Sequence, residues 1–280
     1  MSVEAIERPA TLPEAVTARL MFEANTGEKP FTLTYDPGDD RPRARINNEP
    51  HDVRITNLRP IQGRLSLDRE GFQIVRHKSA VRDLWDEAQT MALGHPEAAE
   101  IVKAATGASR VVVYDHTLRR RQDGVRDRTP GQVRQPAGKV HVDQTVLSGP
   151  QRVRDIMGDA AEDLLKGRAA IINVWRPIAH VARDWPIAVA DAGSIERGDL
   201  LASDLVFPLR KGEIYYLAHN EGQRWYYAPD LAPDEAILIK CWDSDTSVAQ
   251  FAPHTGFDDP TTPDGTPPRE SIEFRTIAFW

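Results

Sequence analysis

The texture of the chain from residue 109 onward limits its fold more than any other feature. Seven segments there are rich in β-branched and aromatic residues: R-V-V-V-Y-D-H (110–116), A-A-I-I-N-V-W-R-P-I (169–178), P-I-A-V-A-D-A (186–192), E-I-Y-Y-L-A-H (213–219), Q-R-W-Y-Y-A-P (223–229), E-A-I-L-I-K-C-W-D (235–243) and S-I-E-F-R-T-I-A-F-W (271–280). Each is bounded by Gly, Pro, Asp or Asn, the pattern of short strands between turns. H-N-E-G (219–222) predicts a hairpin turn between two of them. One helix interrupts the series, over 155–167, ending at Gly167. Helices do not alternate with the strands, which argues against a doubly wound parallel sheet. The expectation is a mainly β, double-stranded β-helix core of the jelly-roll, cupin-like kind over 109–280.

Upstream the pattern is mixed. Residues 1–15 hold Pro9 and Pro13 and little apolar content, and are expected to be a loose tail. Residues 16–108 read as an α+β extension. H-D-V-R-I-T-N-L-R-P (51–60) predicts an edge strand, and Val81, Leu84, Trp85, Ala88 and Leu93 keep a helical period over 79–93, with Ser79 as N-cap. A second helix over 95–107 starts near Pro96 and stops at Gly107.

The bulk numbers narrow the function. A net charge of -7 and a pI of about 5.7 speak against a nucleic-acid partner. No apolar run approaches the length of a membrane span, and the first residues lack the basic and apolar regions of a secretory signal. The one cysteine, Cys241, can form neither an internal disulfide nor a thiolate zinc cage. The expected setting is cytoplasmic.

The stretch K-V-H-V-D-Q-T (139–145) carries the first chemical signal. With eight histidines and 42 acids in 280 residues, about one His-x-acid match arises by chance. There are three: His95/Glu97, His141/Asp143 and His219/Glu221. Only His141/Asp143 lies in an extended context, where positions i and i+2 share a face and both can reach one ion. Two ligands make a poor site. His254, in Q-F-A-P-H-T-G-F-D-D-P, follows the strand at 235–243 and supplies a third. Two histidines and a carboxylate form the facial triad that holds Fe(II) and leaves positions open for cosubstrate and oxygen. Arg269-Glu270-Ser271 opens the final strand and again puts two polar groups on one face. A buried Arg pairs bidentately with a carboxylate and the hydroxyl adds a hydrogen bond.

The order His-x-Asp, a strand-rich interval, His, then Arg-x-Ser resembles the Fe(II)/2-oxoglutarate-dependent oxygenases. More narrowly, the chain is similar to the gibberellin desaturase-like and cephamycin methoxylation-like hydroxylase/desaturases. The carrying stretches are T-G-A-S-R-V-V-V-Y-D-H-T-L-R (106–119), V-H-V-D-Q-T (140–145), N-V-W-R-P-I (173–178), P-D-E-A-I-L-I-K-C-W-D-S (233–244), H-T-G-F-D-D-P (254–260) and P-R-E-S-I-E-F-R (268–275). The resemblance covers roughly 50–280. It implies iron on His141, Asp143 and His254, 2-oxoglutarate on Arg269 and Ser271, and consumption of O2 with decarboxylation to succinate. It also implies attack on an unactivated C–H bond of a small natural-product or amino-acid-like substrate, by hydroxylation, desaturation or cyclisation.

Asn173 and Arg176 interrupt an otherwise apolar strand. Either they close local hydrogen bonds at a strand end, or they meet a carboxylate, and the recurrence of N-x-W-R-P in the resemblance favours substrate binding. The arginine-rich run at 119–128 is either a solvated loop or a lid over a site beginning at His141. Two rivals remain. A non-catalytic partner of a biosynthetic methyltransferase, built on the same fold, need not keep the three ligands and the Arg. A cupin-like lyase or isomerase would not need Arg269-x-Ser271. Oligomeric state is not legible.

Overall fold

The computed structural model describes residues 12–129 and 131–280, so most of the tail expected over 1–15 lies outside the described residues. Five strands come first: β1 (Ala15–Glu23), β2 (Phe31–Leu33), β3 (Ala44–Arg45), β4 (Asn48–Asn57) and β5 (Phe72–Arg76). A helical run follows: α1 (Glu87–Gln89), one π turn (Thr90–Gly94) and α2 (His95–Thr106). Then come β6 (Arg110–Arg120), β7 (His141–Val142), α3 (Ser148–Met157), α4 (Ala161–Leu164) and β8 (Ala169–Pro177). The chain closes with β9 (Ile187–Ala190), β10 (Leu200–Val206), β11 (Lys211–Leu217), β12 (Trp225–Tyr227), β13 (Glu235–Asp243), β14 (His254–Gly256) and β15 (Glu270–Phe279).

Two curled sheets result. The larger runs β1-β4-β12-β9-β14-β7-β11-β10-β2-β3, and the smaller β5-β13-β8-β15-β6. Their inner faces meet in the main core, where Val142 and Val189 of the large sheet pack with Ile171, Ile237, Cys241 and Ile277 of the small one. The outer face of the small sheet is covered by α2: Ile172, Val174, Leu238, Ile272 and Phe274 meet Ala98, Ile101 and Val102. All nine residues of β8 and of β13 are buried, as a strand covered on both faces must be. This is the jelly-roll architecture expected from the strand texture. Strands β1 and β4 belong to the large sheet, which curls until Met21 bridges Lys139 just before β7.

Local expectations are corrected in four places. Segment 51–60 is not an edge, since β4 lies between β1 and β12. H-N-E-G does not close a hairpin: β11 pairs with β10 and β7, while β12 pairs with β4 and β9. The helix read over 79–93 begins at Glu87, because Asp86 accepts from the amides of Ala88 and Gln89 and is the true N-cap. Ser79 instead donates from Oγ to Glu97 at 2.6 Å. The helix read over 155–167 starts at Ser148 and breaks at Gly158, whose φ of 54° with ψ of -130° only glycine adopts without strain. The helix expected over 95–107 does end at Gly107, with φ of 71°. Among the described residues no helix is long and apolar enough to cross a membrane.

Candidate active site

Strand β7 is two residues long and lies between β11 and β14. The β7–β14 ladder sets His141 directly opposite His254, with ring centroids 4.5 Å apart. Each ring donates from Nδ1 to the carbonyl two residues upstream: His141 to Lys139 at 2.8 Å, His254 to Ala252 at 3.1 Å. That bond selects the tautomer in which Nε2 carries a lone pair. Asp143 follows β7, with Oδ1 3.6 Å from Nε2 of His141. One ligand atom from each of His141, Asp143 and His254 lies within 4.8 Å of the other two.

The electrostatics fit a cation. Burial, then the charge of His254, lowers the His141 pKa to about 4, so the imidazole is neutral at physiological pH. Burial alone would raise the Asp143 pKa, but Arg275, both histidines and Asn173 outweigh it and hold the carboxyl well below its ordinary range. Asp143 Oδ2 accepts from Asn173 Nδ2 at 2.8 Å and from Arg275 Nε at 3.2 Å. Both donors come from the small sheet, so the carboxylate is oriented from across the core.

Arg269 and Ser271 form the second cluster. Arg269 is 3% exposed and its guanidinium lies 5.3 Å from the Trp175 ring centroid. Its Nη1 donates to Trp185 O at 2.5 Å and its backbone amide to Asp184 Oδ2 at 2.9 Å. Burial, then the charge of Arg119, lowers its pKa to about 9. Arg269 Nε and Ser271 Oγ are buried and have no partner among the described residues. Two adjacent orphaned donors, one of them on a guanidinium, are what a carboxylate would satisfy. A side chain at Gly256, two residues after His254, would meet Arg269 Nη1 at 3.2 Å, so glycine keeps that approach open.

The structure separates the two remaining predicted residues. Asn173 faces inward and touches Asp143. Arg176, three positions on, faces the opposite side of β8, where its Nη2 donates to the carbonyls of His77 (3.1 Å) and Pro233. It lies near Ser79, Glu97 and Phe274 beneath α2, away from the triad. Arg176, read from the sequence as substrate-binding, is thus tied to backbone carbonyls on the face away from the triad, with its Nε unpartnered among the described residues. Lys240 is likewise bound, 2.7 Å from both Asp68 and Asp243. Trp175 and Trp242 are core aromatics, with Trp175 also under Arg269.

Sequence reasoning missed Arg275, although a signal existed. Positions 269, 271, 273 and 275 are all polar and alternate with Ile272 and Phe274, so they line one face. Trp185 was missed too: its carbonyl accepts from Arg269 while its own backbone sits at φ 46°, rare for a residue with a side chain.

Comparison with known proteins agrees with this geometry. A profile of the family described as "Oxidoreductase/YMDC permease-like domain" matches residues 20–279. The hydroxylase/desaturase efuI of Hormonema carpetanum is 32% identical over 263 residues, 85% of this chain and 86% of that protein. The Fe(II)/2-oxoglutarate-dependent dioxygenase nvfI of Aspergillus novofumigatus is 30% identical over 89% of this chain and 90% of its own length. The chain belongs to the Fe(II)/2-oxoglutarate-dependent oxygenase family. A solved variant of the iron and alpha-ketoglutarate-dependent endoperoxidase NvfI superposes with a TM-score of 0.88 at 28% identity, covering 97% of this chain and 99% of that one. The oxygenase thus uses Fe(II), 2-oxoglutarate and O2, as the sequence resemblance implied.

Proposed function

We propose that the oxygenase holds Fe(II) on His141, Asp143 and His254 and binds the distal carboxylate of 2-oxoglutarate with Arg269 and Ser271. The observation that carries this is the coincidence of a converged triad with buried, unpartnered donors on Arg269 and Ser271. Bound iron supplies the oxidising power for C–H attack, at the expense of O2 and the cosubstrate. The protein's part is placement. The carbonyls of Lys139 and Ala252 aim both imidazoles, and Asn173 and Arg275 hold the carboxylate. Trp175 and the buried walls of β8 and β13 limit the access of solvent from the small-sheet side.

The substrate on this reading is a small natural-product or amino-acid-like molecule carrying an acid group. It undergoes hydroxylation, desaturation or oxidative cyclisation of an unactivated C–H bond. The relatives named hydroxylase/desaturase and endoperoxidase support that range of outcomes. A non-catalytic helper has no observation in its favour. Anaerobic titration with Fe(II) and 2-oxoglutarate tests the reading: a weak visible charge-transfer band is expected in the wild type and not in Asp143→Ala. A wild-type protein that forms no such band would refute it.

A further inference from the structure

Beside the cosubstrate anchor stands a cation that the reading above leaves unused. Arg119 sits near the end of β6, directly opposite Ser271 in the β6–β15 ladder. Residues opposite one another share a face. Leu118 packs in the outer cluster, so Arg119 points inward with Ser271. It lies within electrostatic reach of both His141 and Arg269. Its Nη1 donates to the carbonyl of Gln135 at 2.6 Å. Among the described residues no carboxylate lies within ion-pair distance of it, and the acids nearby are committed elsewhere. Glu273 is 2.8 Å from Arg275, Asp127 accepts from Arg134 at 2.7 and 2.8 Å, and Asp184 pairs with Arg121.

The loop after β6 brings a second cation. It returns along the strand, with the amide of Arg120 donating to Arg134 O at 3.0 Å. It carries Arg128, whose contact with Asp127 is long, at 4.0 Å. Arg128 lies close enough to Tyr216 and Arg275 for their charges to bear on its own, and Tyr216 is the cross-strand neighbour of His141. Burial disfavours the charge on Arg119, and the carboxylates of Glu273 and Asp127 offset this only in part.

Arg275 is held by three carboxylates, Glu273, Asp143 and Asp115. Arg119 is half-buried and makes no ion pair among the described residues, an arrangement that favours an anion from outside.

We propose that Arg119, with Arg128 on the loop after β6 as a second cation, receives a carboxylate of the organic substrate beside the metal site. The inference rests on the metal-centre reading and deepens it: it names the residue that holds the substrate's acid group, and so what sets which carbon faces the metal. A guanidinium holds a carboxylate through two parallel hydrogen bonds, so it fixes orientation as well as affinity.

The test uses the intact protein, loaded anaerobically with Fe(II) and saturating 2-oxoglutarate. Hexanoate and hexanamide, similar in size and different in charge, are the probes. Hexanoate should perturb the charge-transfer band saturably, and hexanamide should bind at least about tenfold more weakly. Arg119→Gln should weaken hexanoate by about tenfold or more, while the Kd for 2-oxoglutarate changes by less than about twofold. Arg119→Lys, which keeps the charge, should recover part of the preference for the acid. An equal response to acid and amide would overturn the proposal. So would an Arg119→Gln variant whose 2-oxoglutarate affinity falls as far as its hexanoate affinity, since Arg119 would then serve the cosubstrate. The wild-type contrast between the two probes decides the matter if Arg119→Gln does not fold. Absence of the band in the wild type would refute the metal centre itself, a result distinct from a band that forms and ignores hexanoate.

Discussion

Asn173 Nδ2 donates to Asp143 Oδ2 at 2.8 Å, from the small sheet to the end of β7 in the large one. The bond occupies one carboxylate oxygen and leaves Oδ1 on the side of His141. Partners behind a metal ligand typically contribute 10–100-fold to metal affinity. Asn173→Ala should therefore weaken Fe(II) binding by about tenfold or more, with the melting transition retained. Anaerobic metal titration reads this directly. An unchanged affinity would show that Arg275, at 3.2 Å from the same oxygen, orients the carboxylate alone.

Asp143→Ala removes the only carboxylate of the triad. It should abolish 2-oxoglutarate consumption while leaving a folded protein. The same loss should follow treatment of the wild type with a strong chelator, and Fe(II) should restore activity there but not in the variant. If Asp143→Ala still converted 2-oxoglutarate to succinate at the wild-type rate, the ligand assignment would be wrong.

The parts of the site that were legible in the sequence are those in which residue type and strand parity act together. His141 and Asp143 stand two apart in an extended segment, and so do Arg269 and Ser271. By the same parity Asn173 and Arg176, three apart in one strand, cannot face one ligand, and the structure places them on opposite faces of β8. An apolar strand buried on both sides conceals that distinction, because a polar residue interrupts either face in the same way. Strand partners were not legible. H-N-E-G has hairpin chemistry, but β12 is drawn to β4 and β9 by its buried Trp225 and Tyr227, which pack with Ile55, Ala188 and Ala190. The start of α1 was set by Asp86 capping two amides, a competition that helical periodicity over 79–93 does not register.

The depressed pKa of His141 has a consequence for stability. An unfolded histidine titrates near 6.5. In the folded, metal-free protein burial and His254 lower that value to about 4. The folded state therefore binds fewer protons between these values. Its stability is full above pH 6.5 and declines as pH falls toward 4, by at most roughly 3 kcal/mol from this group. In chelator-treated protein, denaturant unfolding at pH 7.5 and pH 5 should show wild type losing about 2 kcal/mol more than His141→Gln. Equal losses would mean that His141 is not held neutral.

Arg176 should behave as a structural residue. Its side chain is buried and satisfies the carbonyls of His77 and Pro233, tying β8 to the segments on either side of β5 and β13. Arg176→Leu leaves those carbonyls without the charged donor, at a cost of about 1–3 kcal/mol. The variant should melt earlier, yet convert 2-oxoglutarate at the wild-type rate per folded molecule at temperatures below its transition. A selective loss of substrate-coupled turnover in a fully folded variant would return Arg176 to the site.

Arg269 gives the sharpest kinetic prediction, because its burial leaves so little else for it to do. One nitrogen reaches Trp185 O, while Nε has no partner among the described residues, and neighbouring Ser271 Oγ is equally bare. With its pKa lowered only to about 9, the guanidinium remains charged at neutral pH. Losing a charge-assisted pair at a buried site costs about 2–5 kcal/mol. Arg269→Ala should thus raise the apparent KM for 2-oxoglutarate by about 30-fold or more. Ser271→Ala, which removes one neutral donor, should raise it by roughly 2–10-fold. Fe(II) affinity measured without cosubstrate should hold in both variants, since neither residue touches the triad. Because Arg269 also braces Trp185, the melting curve of Arg269→Ala must be compared with that of Ser271→Ala, which has no such contact. A graded rise in KM across the two, with metal binding intact, fits the anchor. An unchanged KM in a folded Arg269→Ala would remove the residue from the cosubstrate site.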